Sequence, residues 1–166
     1  KVIMALQNGG GISSDIKAGP ITVGDVITVL PFGTTLATME ISGADLKAAF
    51  EISFKSYPKE NGGFLHVAGG KVEFDSSKPA GERVVSIKYF GADGKLVDVK
   101  DTETYVIATN AFTAKGGDSY DVFEKIYKAG KVTDLGLSDW ENLREQFESL
   151  DKIPTEIEGR IVDVKK

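Results

Sequence analysis

Helix-period and strand-period patterns intermix along this chain without the regular strand–helix–strand alternation that a doubly wound parallel sheet demands. The residues from Lys1 to Leu6 read as a strand and end in Asn8-Gly9-Gly10-Gly11, a turn with no side chains to hinder a close approach. Thr22, with Asp25 three positions on, marks a helix start, and Pro31 closes that helix soon after. Residues 36–41 alternate as a strand, and Ser42-Gly43-Ala44-Asp45 then announces a helix whose Leu46, Phe50 and Phe54 share a core-facing side. From Gly62 to Val99 the pattern is β, with runs at 64–67, 71–74, 83–89 and 96–99 and a hairpin turn at Asp93-Gly94. A further apolar strand at 105–109 leads into Phe112 and Gly116-Gly117-Asp118-Ser119-Tyr120, and a short helix follows carrying Tyr120, Phe123 and Tyr127. A capping box at Ser138-Asp139-Trp140-Glu141 predicts a last helix presenting Trp140, Leu143, Phe147 and Leu150, before a strand at 160–164. This order predicts an α+β fold, and without repeats, low-complexity tracts or a Pro-rich linker, residues 1–166 read as one domain.

Composition excludes several classes of function. The chain is 41% apolar and 27% charged, as ordinary globular proteins are, and no stretch approaches the roughly 20 apolar residues of a membrane helix. A net charge of -5 argues against a nucleic-acid partner, which needs clustered Lys and Arg, but leaves a small anion possible. With no cysteine there are no disulfides, thiolate metal sites or thiol nucleophiles. The single histidine, His66, cannot build a dinuclear metal site and is a poor candidate for a triad base in its apolar setting Phe64-Leu65-His66-Val67. No residue is therefore assigned to catalysis or to a metal. The chain opens on Lys1 already in a strand pattern, so a functional segment is expected upstream.

Three loops remain as candidate sites, each with a structural alternative. Gly9-Gly10-Gly11 lacks the Lys-Ser/Thr of a Walker loop, and Ser14 stands where a dinucleotide fingerprint needs its third glycine, leaving a plain turn or a different ligand loop. Gly116-Gly117-Asp118 either connects a strand to a helix that Asp118 caps, or offers a carboxylate for a vicinal diol beside Phe112, a ring able to stack on a flat heterocycle. Phe32, between Pro31 and Gly33, is either a core plug or a second such face.

Taken in order, Asn8-Gly9-Gly10-Gly11-Ile12, Leu30-Pro31-Phe32-Gly33, Gly62-Gly63-Phe64-Leu65 and Phe112 with Gly116-Gly117-Asp118 form a set that resembles the C-terminal domain of the 5′-nucleotidase family, which includes UDP-sugar hydrolases and 2′,3′-cyclic-nucleotide phosphodiesterases. The likeness runs on to Glu158-Gly159-Arg160-Ile161. It implies a layered α/β/β/α domain with mixed, largely antiparallel sheets. It implies that Phe32 and Phe112 sandwich a base, that Asp118 contacts ribose hydroxyls and that Asn8 hydrogen-bonds the nucleoside, with Gly10, Gly11, Ser13, Gly116 and Gly117 as further loop contacts. It also implies an N-terminal metallophosphoesterase domain, outside this chain, that holds two divalent metal ions, and an extracellular, wall-associated or periplasmic location. Where the family has Arg after Gly-Gly-Gly-Ile this chain has Ser13, a neutral hydroxyl in place of a charged fork toward substrate oxygens. That departure bears on monophosphate binding and opens an alternative, a non-catalytic nucleoside-binding or surface-interaction module of the same fold.

Overall fold

Local hydrogen bonds decide where the early helices begin. Thr22 Oγ1 accepts the Asp25 N–H at 3.1 Å while Asp25 Oδ2 accepts the Thr22 N–H at 2.8 Å, closing the capping box expected there. Ser42 Oγ likewise accepts the Asp45 N–H at 3.1 Å. In the computed structural model, which describes residues 1–166, the elements are β1 (Val2–Asn8), a 3₁₀ turn (Gly9–Gly11), α1 (Val23–Val29), β2 (Thr35–Ser42), α2 (Gly43–Phe54), β3 (Leu65–Ala68), β4 (Gly70–Phe74), β5 (Val84–Phe90) and β6 (Leu96–Asp98). There follow β7 (Thr104–Asn110), α3 (Ala111–Ala114), a 3₁₀ turn (Gly117–Ser119), α4 (Asp121–Lys128), β8 (Val132–Ser138), α5 (Asp139–Glu148) and β9 (Ile161–Asp163).

One sheet has the order β3-β1-β7-β2-β8 and the other β6-β5-β4-β9. Parallel pairing joins β1 to β7 and β4 to β9, and the remaining neighbours are antiparallel. The α+β class and its mixed, largely antiparallel sheets are thus the ones observed. Along β1, Met4, Leu6 and Asn8 are buried and the residues between them are half-buried, so Asn8 ends the strand on its core side.

Both sheets share one core, with α2 at its centre. Leu46, Phe50 and Phe54 are fully buried and join Met4, Met39, Ile41 and Ile107 of the first sheet to Val72, Phe74 and Ile87 of the second. Phe54 stacks on Phe74 with ring centroids 4.1 Å apart. No helix is long and apolar enough to cross a membrane.

Two sequence expectations change. Residues 132–138, left outside any expected element, form the edge strand β8, bent where the register shifts opposite Thr35 and Ala37, with Gly136 at φ +67° and Leu135 and Leu137 exposed. The box at Ser138 does not form: Ser138 Oγ is buried without a partner, and the Trp140 N–H goes instead to Asp139 Oδ1 at 2.8 Å. The apolar side of α5, with Trp140, Leu143, Phe147 and Leu150, is only half-buried because that helix packs on α1 and β8 at the margin of the fold.

Candidate functional site

Backbone hydrogen bonds zip the glycine-rich segments together before any side chain is considered. The Gly9 N–H donates to Phe64 O at 2.8 Å and the Gly10 N–H to Gly62 O at 2.7 Å, joining the end of β1 to the loop ahead of β3. Tyr120, fully buried and stacked on Phe123 at 5.0 Å, donates its hydroxyl to Gly63 O and ties that loop to the turn carrying Asp118. Burial holds the Tyr120 phenol above its ordinary range, so the hydroxyl keeps the proton that it donates to Gly63 O. At Gly63 a side chain would bring its Cβ to 3.2 Å from Asp118 Cβ, tighter than ordinary packing.

The result is a cavity of about 350 Å³ lined by Gln7, Asn8, Gly10, Gly11, Phe32, Thr34, Asn110, Phe112, Asp118 and Asp139. Asn8, Phe32, Phe112, Asp118, Gly10 and Gly11, singled out in the sequence, therefore meet at one place, whereas Ser13, Gly116 and Gly117 are not among its lining residues. Ser13 is exposed and its N–H donates to Val29 O at 2.8 Å. Gly117 acts from behind: a Cβ there would lie 2.6 Å from the Phe112 ring, so the bare backbone is what lets the ring sit where it does. A larger groove of about 820 Å³ lies between residues 16–26 and the end of α5, but Phe147 is its sole aromatic.

A chain of side-chain hydrogen bonds fixes the polar wall. The Thr113 N–H donates to Asn110 Oδ1 at 2.8 Å, Asn110 Nδ2 donates to Asn8 Oδ1 at 2.8 Å, and Asn8 Nδ2 donates to Asp118 Oδ2 at 3.0 Å. Its direction is unambiguous, because it starts at a backbone N–H, which can only donate, and ends at a carboxylate, which accepts. Gln7 Nε2 adds a second donor to Asn8 Oδ1 at 3.1 Å, and a Cβ on Gly11 would come within 2.4 Å of that Gln7 nitrogen. Asn8 and Asn110 are 4% and 3% exposed, so these partners satisfy groups that water does not reach.

Asp118 and Ser119 have φ of 59° and 67°, a left-handed conformation that costs a residue with a side chain about 1–2 kcal/mol. The Asn8 and Tyr120 anchors on either side hold that turn. Asp118 does not cap α4, whose first residue is Asp121 and whose N-cap position, Tyr120, makes no side-chain bond to the helix backbone.

Sequence reasoning missed Gln7, Thr34, Asn110 and Asp139. Asn110, as the N-cap of α3 two residues before Phe112, left a readable signal, while Asp139 looked like a routine first-turn acid. Its N–H donates to Thr34 O at 3.0 Å, and burial pushes its carboxyl above the usual range against the opposing Trp140 N–H bond. His66 lies outside the cavity, packed 5.6 Å from Phe64, and partial burial lowers its pKa. No group of three or more His, Cys, Asp or Glu side chains is placed to hold a metal ion, so the residues present do not fit one.

Residues 1–125 match the family model described as "5′-nucleotidase, C-terminal domain". The chain is 38% identical over 162 residues to the trifunctional nucleotide phosphoesterase protein YfkN of Bacillus subtilis, a match that covers 97% of this chain and 11% of that protein. Among solved structures it is similar to a 5′-nucleotidase precursor from Thermus thermophilus, with a TM-score of 0.89 and 40% identity over 96% of this chain and 31% of that one. The NAD nucleotidase of Haemophilus influenzae superposes with a TM-score of 0.88 at 27% identity, over 99% of this chain and 30% of its own. The chain thus spans less than a third of each of these proteins.

Two outcomes follow from the cavity's polar chemistry. Asn110→Asp keeps an acceptor for the Thr113 N–H but sets an acceptor against Asn8 Oδ1, so urea denaturation should show a loss of about 1–3 kcal/mol. Unchanged stability would show that the chain of bonds contributes nothing. For Asp139 the folded pKa lies above the unfolded one, so its contribution to stability is fully present below about pH 3.9 and is lost as pH rises through the folded value. The Tm of Asp139→Asn relative to the unsubstituted chain should therefore rise between pH 3.5 and pH 7, and a pH-independent difference would contradict the burial.

Proposed function

The chain belongs to the family of 5′-nucleotidase C-terminal domains, and from that membership we propose that it is the nucleoside-holding part of a metal-dependent phosphoesterase. One observation carries the proposal. Phe32 is 68% exposed and Phe112 52% exposed, and they are the hydrophobic side chains of a cavity otherwise lined by polar groups and glycine. Large rings left in water beside a polar wall are what a flat heterocycle with a polar substituent needs. Stacking is worth about 1–3 kcal/mol per base and tolerates any base, because each has a π-face.

Asp118 accepts the sugar. Asn8 occupies its Oδ2, which leaves Oδ1 to take a hydrogen bond from the ribose hydroxyls. Losing one hydroxyl leaves a carboxylate acceptor underpaired, so ribose is preferred over deoxyribose. The metal chemistry lies on an N-terminal metallophosphoesterase domain carrying two divalent ions, and this chain's part is to hold the nucleoside so that the scissile phosphate meets them. The protein works outside the cytoplasm, at the cell surface, in the wall or in the periplasm, a reading supported by relatives named as snake venom 5′-nucleotidases.

A second reading, a nucleoside-binding or surface-interaction module without turnover, is favoured by Ser13. Its neutral side chain offers no charged fork to a phosphate, and no Lys or Arg lines the cavity. An upstream segment with a metallophosphoesterase ligand set decides for the enzyme.

Calorimetry with adenosine tests the sandwich. The chain should bind weakly, Phe32→Ala and Phe112→Ala should each lose about 1–3 kcal/mol, and the isolated chain should release no phosphate from a nucleotide with divalent metal added. Heats unchanged in the double variant would sink the sandwich, and metal-dependent phosphate release would overturn the division of labour.

A further inference from the structure

The cavity holds a second carboxylate that the nucleoside reading leaves without a role. Asp139 is 5% exposed and lines the same space as Phe32, Phe112 and Asp118. It is fixed twice. Its N–H donates to Thr34 O at 3.0 Å, locking it to the turn that carries Phe32, and its Oδ1 accepts the Trp140 N–H at 2.8 Å. Oδ2 receives no donor from a protein side chain, and the cavity lining contains neither Lys nor Arg. A largely buried carboxylate in that condition has one oxygen free to accept a donor, and burial already raises its affinity for a proton.

We propose that Asp139 reads the edge of the stacked base, accepting hydrogen bonds from ring and exocyclic N–H groups, and so selects guanine among the nucleobases. The inference rests on the nucleoside reading and deepens it. Phenylalanine faces cannot tell one base from another, so discrimination has to come from a polar group in the cavity. Asp118 is engaged with Asn8 and assigned to the sugar, and Asn8 and Asn110 are committed to each other. Asp139 is the remaining charged group of the lining. A phosphate is repelled by it, whereas a base offers N–H donors of the kind carboxylates accept from cytosine in the major groove. Guanine presents N1–H and the N2 amino group side by side, matching the two oxygens of a carboxylate. Adenine offers its amino group beside an acceptor nitrogen, and uracil flanks its single N–H with two carbonyl oxygens.

Calorimetry at pH 7.5 with guanosine, 1-methylguanosine, adenosine and uridine, on the unsubstituted chain, Asp139→Asn and Phe32→Ala, tests this. Asparagine retains an oxygen for the Trp140 N–H at the same size, so the fold is kept and only the acceptor at Oδ2 is exchanged for a donor. Guanosine should bind about tenfold more tightly than 1-methylguanosine or uridine, and Asp139→Asn should remove that advantage while uridine binding stays within about twofold. An equal effect of Asp139→Asn on all four nucleosides, or no effect on any, would overturn the proposal. If Phe32→Ala weakened binding in that case, the nucleoside reading would stand. If the unsubstituted chain bound none of the nucleosides, both would fall together.

Discussion

Parallel pairing of β1 with β7 determines where everything at the cavity can be. Parallel strands end at the same edge of a sheet, and the register that sets Ala5 beside Ala108 brings Asn8 and Asn110 to that edge together. An antiparallel arrangement would have put them at opposite ends. The loops that follow the two strands, Gly9–Gly11 on one side and the α3 segment with Phe112 on the other, therefore open onto one space, as loops at the carboxyl ends of parallel strands do in many ligand-binding folds. Because both asparagines are buried, each needs partners, and they supply them to each other and to Asp118.

The loop geometry is held under strain and by close approach. Asp118 and Ser119 sit in left-handed backbone that glycine would adopt without penalty, yet a carboxylate is kept at 118, where Asn8 can reach it. Burial of Tyr120 against Phe123 and its bond to Gly63 offset that cost. The glycines around the turn remove side chains that would collide with Asp118, Gln7 or the Phe112 ring. A site assembled in this way is in place before a ligand arrives, which lowers the entropy lost on binding.

Much of this was legible in the sequence where local chemistry decides the outcome. The Thr22 and Ser42 caps formed as read, the Asp93-Gly94 turn joins β5 to β6 with Gly94 at φ +78°, and Leu46, Phe50 and Phe54 all lie in the core. Legibility ended where distant residues decide. Residues 132–138 carry Asp134 and Gly136 in a poor strand pattern, and pairing with β2 overrides it. Ser138 had the right spacing for a box, but its hydroxyl is buried without a partner while the Asp139 carboxylate takes the Trp140 N–H. The bond between Asn8 and Asp118 spans 110 positions, so no local pattern announces it. Asp139 is held at the cavity by pairings across the fold, its N–H with Thr34 O and Ser138 with Thr35.

The central claim is that a nucleoside base lies between Phe32 and Phe112. A crystal structure of the chain with adenosine tests it directly. The expected result is the base between the two rings, with a ribose hydroxyl within hydrogen-bond distance of Asp118 Oδ1 and the bond from Asn8 to Oδ2 intact. Adenosine bound elsewhere, as in the groove between residues 16–26 and the end of α5, with both rings still open to solvent, would contradict it.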